Sequence, residues 1–381
     1  MFGRSVGFLC VGAVLAGGCS ATQPPTLAIG APAPAFSLPG VDGRTHTLTD
    51  YAASPVLAVI FTCNHCPVSE LYERRIQQLY ADYRGRGVAV VAINPDSPKT
   101  IALKELAYSD LADTLADMKA RATYRHLEYP YLYDGGAQTA ATAFKIVATP
   151  QIFVFDQQRT LRYQGRLDDN LREDEVKTRD ARNAIDALLA RQPVAVETTR
   201  AAGCPVKWRS ATQDVREETA ALQTAPVNLQ LVDAPDLKAL RRNGTRNLMV
   251  VNFWATWCPP CIIEFPDLQT MYRMYRSRSV ELVTVSVDVP EARSTVEKLL
   301  HSEQASSTNR MFASDDTAGL QDAFDPLVPA SVPFTLLIAP NGDVLHQQSG
   351  EADVPALRRA ILANLPDDPK YPGLQAYWAQ Q

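Results

Sequence analysis

The chain has no long apolar run, no cluster of Lys or Arg and no glycine fingerprint of a dinucleotide-binding fold. Each absence removes a class of function. The net charge is only −5 over 381 residues, so nothing supplies the basic surface that nucleic acid requires. The apolar stretch from Val6 to Leu15 is too short for a permanent transmembrane helix, which needs ~20 residues. Without a flavin or nicotinamide fingerprint the chain is expected to hold no cofactor, and any electrons it handles would come from a partner protein.

Cysteine is sparse as well, but four of the seven form two Cys-x-x-Cys pairs, Cys63/Cys66 and Cys258/Cys261. Each pair follows an apolar run that suits a buried strand, Val56–Phe61 or Leu248–Trp254, and precedes a helical pattern. At a helix N-terminus the free backbone N–H groups and the macrodipole stabilise a thiolate, the form of cysteine that attacks a disulfide. Two other uses of such pairs fit less well. Zinc ribbons separate their pairs by ~15–20 residues, whereas roughly 190 intervene here, so no metal is expected. A purely structural disulfide across two residues closes too small a loop to gain much chain entropy.

Met1 to Gly18 sets Arg4 ahead of the apolar stretch, the layout of a secretory signal, with Cys10 inside it. Leu15-Ala16-Gly17-Gly18-Cys19 resembles a bacterial lipobox. That resemblance implies Cys19 as an acyl anchor and, with Ser20 beside it, sorting to the outer membrane. The segment up to Pro34 is rich in Ala, Pro and Thr, as expected of a flexible tether. Beyond it the chain is long enough, and at 46% apolar greasy enough, for two cores. The expected division is a lipoprotein-type signal at 1–18, a tether at 19–34 and a first domain at 35–192. A linker with Cys204 follows at 193–225, then a second domain at 226–367 and a C-terminal tail at 368–381.

Within the first domain, Phe36–Leu38 and Thr45–Leu48 flank Gly40-Val41-Asp42-Gly43 as a hairpin. Strands are expected at Val56–Phe61, Val88–Ile93, Gln151–Asp156 and Leu161–Gln164, with helices at Pro67–Tyr83, Leu103–Tyr124 and Ala181–Ala190. The second domain repeats the order. Its strands are Leu248–Trp254, Val280–Val289 and Phe334–Ile338, and its helices are Pro259–Tyr275, Ala292–Leu300 and Val354–Leu365. Such alternation implies an α/β layer fold, in each domain a central mixed sheet flanked by helices.

Trp254-Ala255-Thr256-Trp257-Cys258-Pro259-Pro260-Cys261, followed by Glu264-Phe265-Pro266, resembles the active site of TlpA/ResA-type thioredoxin-like proteins of bacterial envelopes. Phe61-Thr62-Cys63-Asn64-His65-Cys66-Pro67 and Gly165-Arg166-Leu167-Asp168-Asp169-Asn170 resemble the redoxin branch related to alkyl hydroperoxide reductases. Together these resemblances imply two tandem thioredoxin-like domains that exchange disulfides with protein substrates in the periplasm or cell envelope. The N-terminal cysteine of each pair, Cys63 or Cys258, would be the exposed nucleophile, and Cys66 or Cys261 would resolve the mixed disulfide. The family's cis-proline loop matches Thr149-Pro150 and Val332-Pro333, although a trans proline opening a strand is the more common state of such bonds.

The flanking residues carry open alternatives. His65, at the place where oxidases of the DsbA type have histidine, either lowers the Cys63 thiol pKa or is a solvated turn residue. Glu264 either tunes the second pair by partial burial or sits in water on the first helical turn. Trp254 and Trp257 cover the site or serve as core aromatics. Cys204, in a Gly-Cys-Pro-Val-Lys-Trp stretch, is either a third redox thiol or a small hydrophobe packed with Trp208. Peroxidase chemistry is a further option for the first domain, but neither cysteine there has the Pro-x-x-x-Thr-x-x-Cys frame of peroxiredoxins. Copper binding of the Sco type would use two cysteines and a distant histidine. Its spacing is Cys-x-x-x-Cys, and His126 lies in a plain helical stretch.

Overall fold

The computed structural model describes residues 26–324 and 331–380. The expected signal, Cys10 and the lipidation candidate Cys19 lie outside the described residues. Among those described, no helix is long and apolar enough to cross a membrane.

The first unit opens with the hairpin β1 (Ser37–Pro39) and β2 (Thr45–Thr47). Strand β3 (Val56–Phe61) is buried at every position, as its unbroken apolar run requires, and leads into α1 (Pro67–Tyr83). Then come β4 (Val88–Asn94), α2 (Leu115–Tyr124), β5 (Tyr131–Tyr133), α3 (Thr139–Phe144), β6 (Ala148–Thr149), β7 (Gln151–Phe155), β8 (Leu161–Gly165) and α4 (Asp180–Leu189). The sheet order is β5-β4-β3-β7-β8, parallel on the β4 side of β3 and antiparallel on the β7 side. The 103–124 stretch, expected to be largely helical, is a 3-10 turn at Leu103–Tyr108 and then α2. Between them the backbone opens to place Ser109, Asp110 and Asp113 inside the protein. Part of the expected tether is also fixed, since Gly30 N–H donates to Leu161 O at 2.9 Å and Ala33 N–H to Arg159 O at 2.8 Å.

The expected linker is structured. It contains β9 (Cys204–Pro205), which pairs antiparallel with β6, and α5 (Gln213–Gln223). Gly203 lets β9 come so close, because a Cβ there would collide with the Thr149 carbonyl oxygen. The second unit runs β10 (Leu229–Val232), α6 (Ala234–Arg242), β11 (Leu248–Trp254), α7 (Pro259–Tyr275), β12 (Val280–Ser286), α8 (Arg293–Ser302), β13 (Thr308–Phe312), α9 (Thr317–Phe324), β14 (Phe334–Ile338), β15 (Val344–Ser349) and α10 (Val354–Asn364). Its sheet order is β10-β13-β12-β11-β14-β15, again mixed. Each unit thus has the thioredoxin-like arrangement, with the strand before the first long helix at the centre.

The last residues are not a free tail. Helix α11 (Leu374–Ala379) buries Leu374 and Trp378 in a core that also takes Leu248, Met271 and Tyr275 from the second unit and Ile101 and Leu106 from the first. Trp378 Nε1 donates to Tyr108 O at 3.1 Å, and Tyr275 Oη donates to Ser109 O at 2.6 Å. Beneath α11, the buried Arg121 reaches Glu73 at 2.8 Å and Tyr377 Oη at 2.6 Å.

Candidate active sites

In the second unit Cys258 caps α7, with Pro259 at the first helical position where no N–H partner is lost. Cys258 and Cys261 are joined by a disulfide, with Cα atoms 5.3 Å apart. The Val332–Pro333 bond is cis, and Val332 O lies 3.6 Å from Cys258 Sγ. Glu264 is buried, and both carboxylate oxygens accept, from Asn252 Nδ2 at 2.8 Å and from Ala352 N–H at 2.7 Å. Burial pushes its pKa up, and these two hydrogen bonds offset part of that rise. The solvated alternative for Glu264 is therefore excluded. Trp254 is a core residue, packed on Phe265 at a centroid distance of 4.9 Å, whereas Trp257 is 67% exposed. Asp288 holds the loop before Cys258 by accepting from Thr256 N–H at 3.0 Å and Thr256 Oγ1 at 2.6 Å.

The first unit differs in a way that the shared Cys-x-x-Cys spacing conceals. Helix α1 is capped by Cys66, not Cys63, and Pro67 takes its first position. The Thr149–Pro150 bond is cis, and Thr149 O lies 3.4 Å from Cys66 Sγ. Cys66 therefore stands where Cys258 stands, and Ser69 stands where Cys261 stands. Cys63, expected to be the exposed nucleophile, is instead buried, and it is Cys66 that holds the cap position. The partner of Cys66 is Cys204, brought by β9 and bonded to it with Cα atoms 6.1 Å apart. The alternative of Cys204 as a mere packing residue falls with that bond.

Cys63 remains a free thiol, buried at 5% exposure. Its sulfur lies 3.3 Å from Thr149 Oγ1 and 3.7 Å from Ser69 Oγ. On its other side Cys63 Sγ, a His65 ring nitrogen and an Asp96 carboxylate oxygen all lie within 4.8 Å of one another. Among the described residues these three atoms form a group close enough to hold a metal ion; His126 lies elsewhere, in a left-handed turn past α2.

His65 is buried, against the reading of a solvated turn residue, and its Nδ1–H donates to Asp113. Burial alone would lower its pKa, but the Asp113 charge outweighs it and holds the imidazole protonated well above the usual range. Burial likewise opposes the charged Asp113, yet His65 and the Asn64 N–H at 2.6 Å keep that carboxyl low. Asp96 is pushed up by burial, with Asp113 adding repulsion and His65 offsetting part of it. His65 does lower the Cys63 thiol, by its charge and by hydrogen bonding, but it is outweighed. Burial first, and then the Asp96 charge, push the Cys63 thiol up to about 12, and the imidazolium recovers only part.

Comparison with known proteins places this arrangement. The AhpC/TSA family model matches residues 29–164 and 223–347, one match in each unit. The chain belongs to the AhpC/TSA family. Among relatives of this AhpC/TSA protein, the thiol-disulfide oxidoreductase ResA of Bacillus subtilis is 32% identical over 31% of the chain and 66% of its own length. The ResA of Halalkalibacterium halodurans is 30% identical over 30% of the chain and 58% of its own length. The chain thus spans less than two thirds of either relative. A solved structure of a hypothetical protein from Sinorhizobium meliloti 1021 shares 32% identity over 49% of the chain and 97% of its own length, with a TM-score of 0.43.

For this AhpC/TSA protein the structure brings Cys66, Cys204, Thr149 and Pro150 together at one site and Cys258, Cys261, Val332, Pro333 and Glu264 at the other. Sequence reasoning missed Ser69, Asp96 and Asp113. One signal was available: of the three Cys-Pro steps, Cys66-Pro67, Cys204-Pro205 and Cys258-Pro259, the first and last each follow an apolar run and open a helical pattern, and aligning on those two, instead of on Cys-x-x-Cys, puts Ser69 opposite Cys261. Asp96 follows the end of β4 by two residues, as Asp288 follows β12. Asp113 had no signal, because the stretch around it reads as helix.

Proposed function

We infer that this chain is a thiol-disulfide oxidoreductase of the bacterial cell envelope that exchanges disulfides with protein substrates. The observation that carries this reading is the Cys258–Cys261 disulfide at the head of α7, facing the carbonyl of Val332 before cis-Pro333. In the reduced state the Cys258 thiolate attacks a substrate disulfide. A bond forms between Cys258 and one substrate sulfur while the other leaves as a thiolate. Cys261 then attacks Cys258, forming the bond seen here and releasing the reduced substrate. The exposed Trp257 beside the disulfide, with Val332 O, offers an apolar face and a backbone acceptor to an extended peptide. Electrons enter from an envelope donor protein that reduces Cys258–Cys261. The lipobox-like Cys19 supports an outer-membrane lipid anchor.

The test is reduction of insulin by dithiothreitol, followed as turbidity. The wild type accelerates it, and Cys258→Ser and Cys261→Ser variants lose most of that acceleration. Equal rates for wild type and both variants would sink the reading.

A second reading, copper binding of the Sco type, has one observation behind it: the Cys63, His65 and Asp96 cluster. A thiolate there suits Cu(I). Anaerobic Cu(I) titration against a chelator decides it, since retention must be lost in Cys63→Ser.

A further inference from the structure

The first unit has three sulfurs where the second has two. Cys63 Sγ and Cys66 Sγ touch the same residue, Thr149, at its hydroxyl and its carbonyl, and Thr149 is also the ladder partner of Cys204. All three cysteines join one cluster, in which Cys63 and Cys66 are buried and Cys204 is only half-buried. The acid-base groups are placed to match. Asp96 Oδ2 is buried beside Cys63 and His65 and has no hydrogen-bond partner, while Asp96 Oδ1 accepts from Lys207 N–H at 2.6 Å. One carboxylate therefore faces the free thiol and also holds the chain three residues past Cys204.

We propose that Cys63 is a second resolving thiol, which attacks the Cys66–Cys204 disulfide and moves the bond to Cys63–Cys66. The Cys63 sulfur attacks Cys66 Sγ as its proton passes to Asp96 Oδ2. The Cys63–Cys66 bond forms, the Cys66–Cys204 bond breaks, and the electron pair leaves on Cys204, which takes a proton from water. One disulfide is exchanged for another, so no oxidant or reductant is consumed. The buried Cys63 needs an adjacent acceptor for this step, and Asp96 Oδ2 takes no hydrogen bond, its nearest charged partner being His65 Nδ1 at 3.9 Å. A two-residue gap suffices for the new bond, as the Cys258–Cys261 disulfide demonstrates.

The product differs from the starting state in what faces solvent. Cys204 becomes a free thiol on a two-residue strand, released from Cys66, while the oxidised pair is closed inside. The carrier to other proteins is then Cys204, and its substrate class is a protein disulfide that can reach β9, whose sulfur the Cys204 thiolate attacks to form a mixed disulfide as the other substrate sulfur leaves as a thiolate. That last assignment rests on the oxidoreductase reading, whereas the internal exchange does not.

The exchange is tested on the full-length oxidised chain carrying Cys258→Ser and Cys261→Ser, incubated with N-ethylmaleimide and no reductant, then digested and mapped by mass spectrometry. The expected result is time-dependent label on Cys204 together with a Cys63–Cys66 disulfide, at a rate independent of protein concentration. Adding Cys63→Ser should abolish Cys204 labelling with Cys66–Cys204 retained, and adding Asp96→Asn instead should slow it about a hundredfold. Label on Cys63 with Cys66–Cys204 intact, no label on Cys204, or equal Cys204 labelling with and without Cys63 overturns the proposal. Insulin reduction, which depends on the second site and an external reductant, fails or succeeds independently of this result.

Discussion

Cys66 and Cys204 are joined across a sequence separation of 138 residues, so their disulfide ties the expected linker back to the head of α1. On the chain-entropy estimate a loop of that length stabilises the fold by about 5 kcal/mol, against about 1.5 kcal/mol for the three-residue separation of Cys258 and Cys261. A Cys66→Ser/Cys204→Ser variant should lose several times more stability than Cys258→Ser/Cys261→Ser. Urea denaturation of the two variants under oxidising conditions checks this, and equal losses would contradict it.

Glu70 lies one helical turn past Cys66, wholly buried, with Arg121 Nη1 at 3.4 Å. Burial pushes its carboxyl up to about 8 from an ordinary 4.5, and Arg121 offsets only part of that. The native state therefore binds this proton more tightly than the unfolded chain does. Its contribution to stability is fully present below the ordinary value and falls as pH rises from about 4.5 to about 8. Urea midpoints measured from pH 5 to 8.5 should decline in the wild type and decline less in Glu70→Gln. Parallel profiles would refute the assignment.

Asp113 is the hub of the first site. It accepts from Asn64 N–H at 2.6 Å, from Asn94 Nδ2 at 2.7 Å and from His65. Replacing it with alanine takes the close partner from a buried imidazolium and leaves the Asn64 N–H unpaired, while Asn94 Nδ2 keeps only Tyr131 Oη at 3.3 Å, at a cost of about 3–5 kcal/mol. Asparagine keeps one acceptor oxygen for Asn64 and Asn94, so Asp113→Asn should lose less stability than alanine while His65 gives up its proton. Calorimetry gives the first comparison and histidine NMR titration the second.

Both oxygens of Glu264 are acceptors, one for Asn252 and one for Ala352. Glutamine has nearly the same shape but offers one oxygen and one NH₂, which sets a donor against a donor. Glu264→Gln should therefore destabilise the second unit by about 1–3 kcal/mol despite being isosteric. A thermal shift within error of wild type would show that the carboxylate is not needed as a double acceptor.

Much of the fold was legible because burial writes itself into apolar runs. Val56–Phe61 and Leu248–Trp254 are buried on both faces and read as strands without ambiguity, and α1 and α7 begin at the prolines that mark them. Strands such as Thr308–Phe312 and Val344–Ser349 were missed, since unbroken polar runs, Thr308-Asn309-Arg310 and His346-Gln347-Gln348-Ser349, hide the two-residue period and their place at the sheet is set by neighbours. The terminal helix was missed for a related reason. Leu374 and Trp378 make an apolar face only one turn long, which has no stable structure until α10 and α1 supply a surface.

That two strand-to-helix junctions carry cysteine, that each has a cis-proline candidate downstream and that the chain is α/β can all be read from the order of the amino acids. These are local matters, decided by spacing, capping and hydrophobic pattern. Only the tertiary structure decided which sulfur bonds to which. Cys-x-x-Cys spacing is the same in both units, but the first pair is shifted one helical turn upstream of the helix cap. The partner of Cys66 comes from a strand 138 residues away that Gly203 allows to close on Thr149. The same holds for charge. His65 beside Cys63 reads as activation, yet burial first, and then the carboxylates of Asp96 and Asp113 gathered from other loops, outweigh it at that thiol.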